Sequence, residues 1–165
     1  MGRKFEIVKE DKRTAFSVLK DEKGATINIP KEIKLPTRGT ATSAGYDFYA
    51  PKDLQLLPMQ KTIVFTDVKA KMEEDEVLMI YIRSSTAIKK GLMLSNNVGI
   101  IDSDYYGNPD NDGNIGIPLV NTTGKAVNIE EGERIAQGIF TKFLSVEEAK
   151  PAPKRKGGTG STGTK

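Results

Sequence analysis

Asn96-Asn-Val-Gly-Ile-Ile-Asp-Ser-Asp-Tyr-Tyr-Gly107 decides how the rest of this 165-residue chain is read. Val98, Ile100 and Ile101 around Gly99 predict a strand, which delivers Asp102, Asp104, Tyr105 and Tyr106 into a turn closing at Gly107. Active-site groups are commonly carried in this way, on a polar loop held by a rigid hairpin. A solvated β-turn has the same composition, so the stretch alone leaves both readings open. A calcium loop is excluded: counted from Asp102, the fifth position holds Tyr106 rather than Asp or Asn, and the twelfth holds Gly113 rather than Glu.

Short β-rich runs recur on both sides of that stretch. Phe5, Ile7 and Val8 predict a first strand and Thr26 to Ile29 a second, joined by a Lys/Asp/Glu-rich connector. After the small residues of Ala41 to Gly45, Tyr46 and Phe48 alternate with polar positions that include Asp47. Leu54 to Leu57 and Thr62 to Ala70 predict two more strands, the second with Val64, Thr66, Val68 and Ala70 along one face. Val77 to Ile82 runs directly into Arg83-Ser84-Ser85 and a short helical segment. That junction offers a cation, two hydroxyls and helix N–H groups to an anion, although a serine that merely caps the helix would look the same. Beyond the polar loop Asn108 to Asn114, strands are predicted at Ile115 to Val120, through Val127 and Ile129, and at Glu133 to Phe140. In the last, Ile135, Gln137 and Ile139 alternate with Arg134, Ala136 and Gly138. About ten short strands and one short helix predict an all-β barrel or jelly-roll domain over residues 1–149, residues 1–30 forming its N-terminal strands. Residues 150–165, rich in Pro and Gly, cannot pack a core and predict a flexible arm. The arm is no Walker A loop, because Thr164 follows Gly163 where Lys is required, yet its backbone N–H groups can wrap phosphates.

The absences narrow the chemistry. With no His and no Cys, the chain cannot build a Ser-His-Asp triad, a thiol nucleophile, a disulfide or an ordinary structural zinc site. Catalysis would fall to carboxylates, Tyr, Lys, Arg, Ser or a metal held by oxygen, which favours magnesium-assisted phosphate chemistry. A formal net charge of +3 is too small to predict direct nucleic-acid binding. No apolar run is long enough for a membrane span, and no apolar segment follows the basic N-terminus, so the expected location is the cytoplasm.

Five segments in order resemble the motifs of the trimeric dUTPases, and the resemblance runs from about Pro36 to the C-terminus. They are Ala44-Gly45-Tyr46-Asp47-Phe48; Arg83-Ser84-Ser85 with Lys90-Gly91; Gly99-Ile100-Ile101-Asp102 with Tyr105; Gly132-Glu133-Arg134-Ile135-Ala136-Gln137; and the tail Gly157 to Gly163. Each is weak alone; their order makes the signal. The resemblance implies a jelly-roll subunit and a homotrimer with shared sites, in which one chain's arm closes over a site formed by the other two. It also implies hydrolysis of dUTP to dUMP and pyrophosphate, with water attacking the α-phosphorus. Such an activity controls the balance of dUTP against dTTP and hence uracil incorporation into DNA. By the same resemblance Asp102 activates the water, while the backbone of Gly99, Ile100 and Ile101, with Asn96, reads uracil. Tyr105 underlies the deoxyribose and excludes a 2′-hydroxyl. Arg83, Ser84, Ser85 and Gln137 bind phosphates, joined by Arg155, Gly160, Ser161 and Thr162 of the arm. Mg²⁺ is held by phosphates and water, with Asp47 at most in its outer shell, and Arg134 reads as structural.

The sequence departs from the family pattern in three places. The arm has Thr159 where a ring usually stacks on uracil. Lys154 stands where the motif's arginine is usual, so Arg155 is expected to replace it. The 108–114 loop is longer than the family's hairpin, and phage-type relatives carry insertions near here that serve partner proteins; a protein partner reached through this loop is a further expectation. Two alternatives accompany this reading: a dUTP-sensing regulator that binds a repressor, and a dCTP deaminase of the same fold.

Overall fold

Buried and half-buried residues alternate along Glu76–Ile82 and Gly116–Asn121, the period of two required of a strand with one face on a core. The computed structural model describes residues 2–147 together with Arg155, Gly157 and Gly158. Its strands are β1 (Lys4–Ile7), β2 (Phe16–Lys20), β3 (Thr26–Pro30), β4 (Thr37–Arg38), β5 (Tyr46–Tyr49), β6 (Leu54–Leu56), β7 (Lys61–Phe65), β8 (Val68–Lys71) and β9 (Glu76–Ile82). Helix α1 (Ser84–Lys90) follows, then β10 (Leu92–Leu94), β11 (Gly99–Asp102), β12 (Gly116–Asn121), β13 (Val127–Ile129) and β14 (Arg134–Lys142).

All pairings are antiparallel. A five-stranded sheet runs β11-β9-β14-β5-β4 and a three-stranded sheet runs β10-β12-β7, with two-stranded ribbons β13-β6, β1-β8 and β2-β3 around them. Phe48, Leu78, Ile80 and Ala136 of the larger sheet share one buried core with Val64, Leu92, Ile117 and Leu119 of the smaller. This is the mostly-β, jelly-roll architecture expected from the sequence. Phe5 packs edge-on against Tyr46 and Phe48, with ring centroids 5.3 and 5.5 Å apart, and so fastens β1 to the large sheet.

The structure corrects four details. The charged connector after β1 contains a strand, β2, whose hairpin with β3 stands in solvent. Val18 and Leu19 are 67% and 52% exposed, so no one-sided apolar pattern marks it. Thr62 to Ala70 is not one strand: Val64, Thr66, Val68 and Ala70 are buried as expected, but the chain breaks into β7 and β8 at Asp67, whose φ is +57°. The fully buried Asp67 carboxylate accepts the Thr14 and Ala15 N–H groups at 2.9 Å and the Asn114 amide at 2.8 Å, tying the N-terminal segment to the 108–114 loop. The short strand β10 fills a segment with no strand expected. Finally, β14 does not alternate strictly, because a bulge between Arg134 and Ala136 leaves Ile135 and Ala136 both buried.

Candidate functional site

Strand β11 is the outer strand of its sheet among the described residues, so alternate residues point N–H and C=O groups away from β9 with no described strand to receive them. Along that edge lies a cavity of about 320 Å³. Asn96, Gly99, Ile100, Ile101, Asp102 and Tyr105 line it, together with Ile63, Phe65 and Pro118 of the three-stranded sheet. Six expected site residues therefore meet in one place. Asp102 ends β11 with its side chain half exposed, and Tyr105 ends the 3-10 turn that follows, 7% exposed.

The 108–114 loop is built around that tyrosine. The Tyr105 hydroxyl donates to the Asn114 carbonyl at 3.0 Å and accepts from the Asn111 amide at 2.8 Å. The Asn108 amide donates to the Tyr105 carbonyl and to Asn111 Oδ1, each at 2.8 Å. Gly113 has φ +84°, and a Cβ there would stand 2.8 Å from the Tyr105 carbonyl oxygen, so only glycine permits the loop to fold back so closely. Asp112 accepts from Lys69 Nζ at 2.7 Å and from the Lys9 N–H at 2.9 Å. Burial pushes the Asp112 carboxyl up, but these two donors outweigh it and hold the group below its ordinary value.

A second cavity, of about 370 Å³, gathers Arg83, Ser84, Ser85 and Gln137 with Gly39, Ser43, Gly45, Asp47 and Arg134. Asp47 is 7% exposed and holds two guanidinium groups: Arg83 Nε lies 2.8 Å from its Oδ1, and Arg134 Nη1 3.2 Å from its Oδ2. Each arginine keeps further N–H groups for an anion. Neither serine is the helix cap, because Arg83 occupies the N-cap position and no side chain caps α1. Arg134, expected to be structural, belongs with this set, as does Ser43. The bulge explains the omission: it places Arg134 and Gln137, three apart, against one cavity, which strict alternation forbids.

The two cavities have no lining residue in common. Asp102 pairs with Val77 on β9, and Arg83 directly follows that strand's last residue, six residues from Val77 and about 20 Å away at roughly 3.3 Å per residue. A triphosphate is much shorter than that.

Arg155 reaches the first cavity, not the second. Its Nη2 lies 2.5 Å from Asp102 Oδ2, its Nε 2.7 Å from Asp104 Oδ1, and its guanidinium carbon 5.6 Å from the centre of the Tyr105 ring. These carboxylates push the guanidinium pKa above its ordinary value, Asp104 most strongly. Gly160, Ser161 and Thr162, like Lys154 and Thr159, lie outside the described residues.

Among the described residues no group of three or more Asp or Glu side chains is placed to hold a metal. Each Asp47 oxygen is engaged by an arginine, Oδ1 by Arg83 and Oδ2 by Arg134. Such a donor set fits a Mg²⁺ held by substrate phosphates and water, since that ion keeps several waters and needs no protein cage. No helix among the described residues is long and apolar enough to cross a membrane.

Comparison with known proteins gives a consistent result. A family model described as dUTPase matches residues 31–163. The deoxyuridine 5'-triphosphate nucleotidohydrolase of Lactococcus lactis is 45% identical over 150 residues, covering 90% of this chain and 96% of its own. The mouse enzyme of that name is 31% identical over 142 residues, with 83% of each chain covered. The crystal structure of dUTPase from Streptococcus mutans superposes with a TM-score of 0.68 at 39% identity, covering 82% of this chain and 100% of that one. The dUTPase from phage phi11 of S. aureus, with its species-specific insert, gives 0.67 at 20% identity over 93% and 97% of the two chains, a likeness of fold. On the family model and on identity over nine-tenths of its length, the chain belongs to the dUTPase family.

Proposed function

We propose that Asp102 is the water-activating carboxylate of this dUTPase and that each working site is assembled between chains. The chain hydrolyses dUTP to dUMP and pyrophosphate; neither the deaminase nor the pure sensor is favoured by its relatives. The observation that carries the assignment is the cavity along β11, where an unpaired backbone edge, Asn96, Tyr105 and an exposed carboxylate converge. An N–H facing a uracil carbonyl would meet the amino group of cytosine donor to donor, leaving both unpaired. The Tyr105 ring, its hydroxyl held by Asn111 and Asn114, would give the sugar a fixed floor that excludes a 2′-hydroxyl. Asp102 accepts a proton from water in line with the α-phosphorus. Arg83 and Arg134, oriented by Asp47, hold the phosphates with Ser84, Ser85 and Gln137. When bound, Mg²⁺ offsets phosphate charge and selects one triphosphate conformer.

The separation of Asp102 from Arg83 supports a site that takes its nucleoside half from one chain and its phosphate half from another, and a homotrimer supplies three such sites. The outer face of the three-stranded sheet, with Ile63 and Met93 54% and 51% exposed, is an apolar surface continuous with the nucleoside cavity and suits that contact. Most of the 108–114 loop is turned inward, and a protein partner would meet chiefly Pro109 and Asp110.

The test is pyrophosphate release with Mg²⁺ from dUTP, dCTP, dTTP and UTP. Release from dUTP alone is expected. Comparable release from UTP would refute the role given to Tyr105, and release from dCTP the role given to β11.

A further inference from the structure

We propose that Lys34 is a further phosphate-binding residue, which meets the terminal phosphate of dUTP and, after cleavage, the departing pyrophosphate. The proposal deepens the reading of the Arg83 and Arg134 cavity as the triphosphate site and rests on it.

That cavity does not end at the two arginines. A groove of about 390 Å³ adjoins it, sharing Arg83, Ser85 and Arg134 and continuing to Lys34, Tyr49, Gly132 and Glu133. Strand β5 sets up both parts. Asp47 and Tyr49 stand two apart on one face of that strand, and Tyr49 is opposite Arg134 of β14. Asp47 gathers the two arginines, and the next side chain on its face gathers the lysine: Lys34 Nζ lies 4.0 Å from the centre of the Tyr49 ring. The ring is itself fixed, 9% exposed and with its hydroxyl 2.7 Å from Thr37 Oγ1. Lys34 is exposed, but its stretch of chain is pinned by the buried Ile33 and Pro36 on either side. Charge decides what the groove takes. Glu133 is engaged by Lys90 Nζ at 2.7 Å, and Asp47 is shared between two guanidinium groups. Among the described residues no carboxylate pairs with Lys34. Three cations therefore border one continuous space with a single shared carboxylate among them, an arrangement that favours an anion. A lysine resting on a ring face keeps N–H donors that a carboxylate partner would occupy, and its compact charge suits a phosphate. Lys34 lines no part of the Asp102 cavity, so it is placed for the leaving pyrophosphate and not for the nucleoside.

The test compares ligands that contain this end of the substrate with one that lacks it. Calorimetry at low salt should show Lys34→Ala binding inorganic pyrophosphate about fivefold more weakly than wild type, with the affinity for dUMP unchanged, and KM for dUTP should rise by a similar factor. The differences should shrink at high ionic strength. Lys34→Gln, which keeps a stem on the Tyr49 ring but loses the charge, should be as impaired as the alanine variant, and Lys34→Arg should lie near wild type. Wild-type pyrophosphate affinity in Lys34→Ala would overturn the proposal, as would an equal loss for dUMP. So would a Lys34→Gln protein that binds pyrophosphate like wild type, because the lysine would then serve only to pack on Tyr49. Arg83→Ala should weaken pyrophosphate binding as well. If it did not, while Lys34→Ala did, the reading of the Arg83 cavity would fall and the role of Lys34 would stand.

Discussion

The cavity proposed for the nucleoside is walled by the β11 edge, apolar side chains and the Tyr105 ring and is braced by amide side chains, whereas the cavity proposed for the phosphates gathers hydroxyl, amide and guanidinium groups around one carboxylate. Each material suits its ligand. A base and a sugar are distinguished by shape and by donor–acceptor pattern, which a rigid strand edge and a fixed ring supply at little cost in reorganisation. A triphosphate is recognised by charge, and Asp47 keeps two arginines from spreading apart through mutual repulsion when the site is empty. The first half should therefore govern which nucleotide reacts, and the second how tightly any triphosphate is held.

The sharpest way to break this division is to damage each half separately. Asp102→Asn should lower kcat by about a thousandfold or more, the range for losing a general base, with substrate binding retained. Arg83→Ala should fail through phosphate binding instead. If the halves come from different chains, mixing the two inactive proteins under subunit exchange must restore activity in about a quarter of sites, those pairing an intact Asp102 with an intact Arg83. A mixture that remains as inactive as its components would show that a single chain supplies both halves, against the 20 Å estimated along β9.

A smaller effect is expected at Asp47. Asp47→Ala frees Arg83 and Arg134, whose side chains are 22% and 50% exposed, so solvent screens much of the lost pairing. Stability should fall by about 1–2 kcal/mol, and KM should rise several-fold for every nucleotide tested alike. Chemical denaturation and a comparison of dUTP with dCTP would check both. A change in the preference for dUTP over dCTP would mean that the phosphate half also reads the base.

The two halves were unequally legible in the sequence, for the same physical reason that they differ. Asp102 and Tyr105 lie in one continuous stretch with strand periodicity in front of them, so local pattern sufficed. Arg83 and the two serines sat at a strand–helix junction with an evident excess of donors. Arg134 was hidden because a bulge, invisible to an alternation count, moved it to the face of Gln137. The role of residues 108–114 was hidden because it depends on which of three asparagines fold inward, and that is settled by partners far away in sequence. Asn114 meets Asp67 and Asp112 meets Lys9 and Lys69, contacts that no local window contains. The strand β2 escaped because solvent on both sides of a hairpin imposes no burial pattern.

The gentlest test of the comparison is acid. Asp112 braces the loop behind Tyr105, and its carboxyl is held below the ordinary value of 3.8, with burial opposing and the Lys69 and Lys9 donors prevailing. A group depressed in the folded state contributes stability that is fully present above its unfolded pKa and is lost as pH falls through the folded one. The contribution of Asp112 is thus complete at neutrality and disappears only below about 3.8. Asp112→Asn removes the titration, so the stability gap between wild type and variant should be constant from pH 7 to 5 and should close below pH 3.8, as measured by denaturation midpoints. Because the loop serves Tyr105 and not Arg83, the variant should also weaken discrimination against UTP at neutral pH while leaving phosphate affinity, read with inorganic pyrophosphate, as it was. Equal loss of both would show that the two halves are mechanically one.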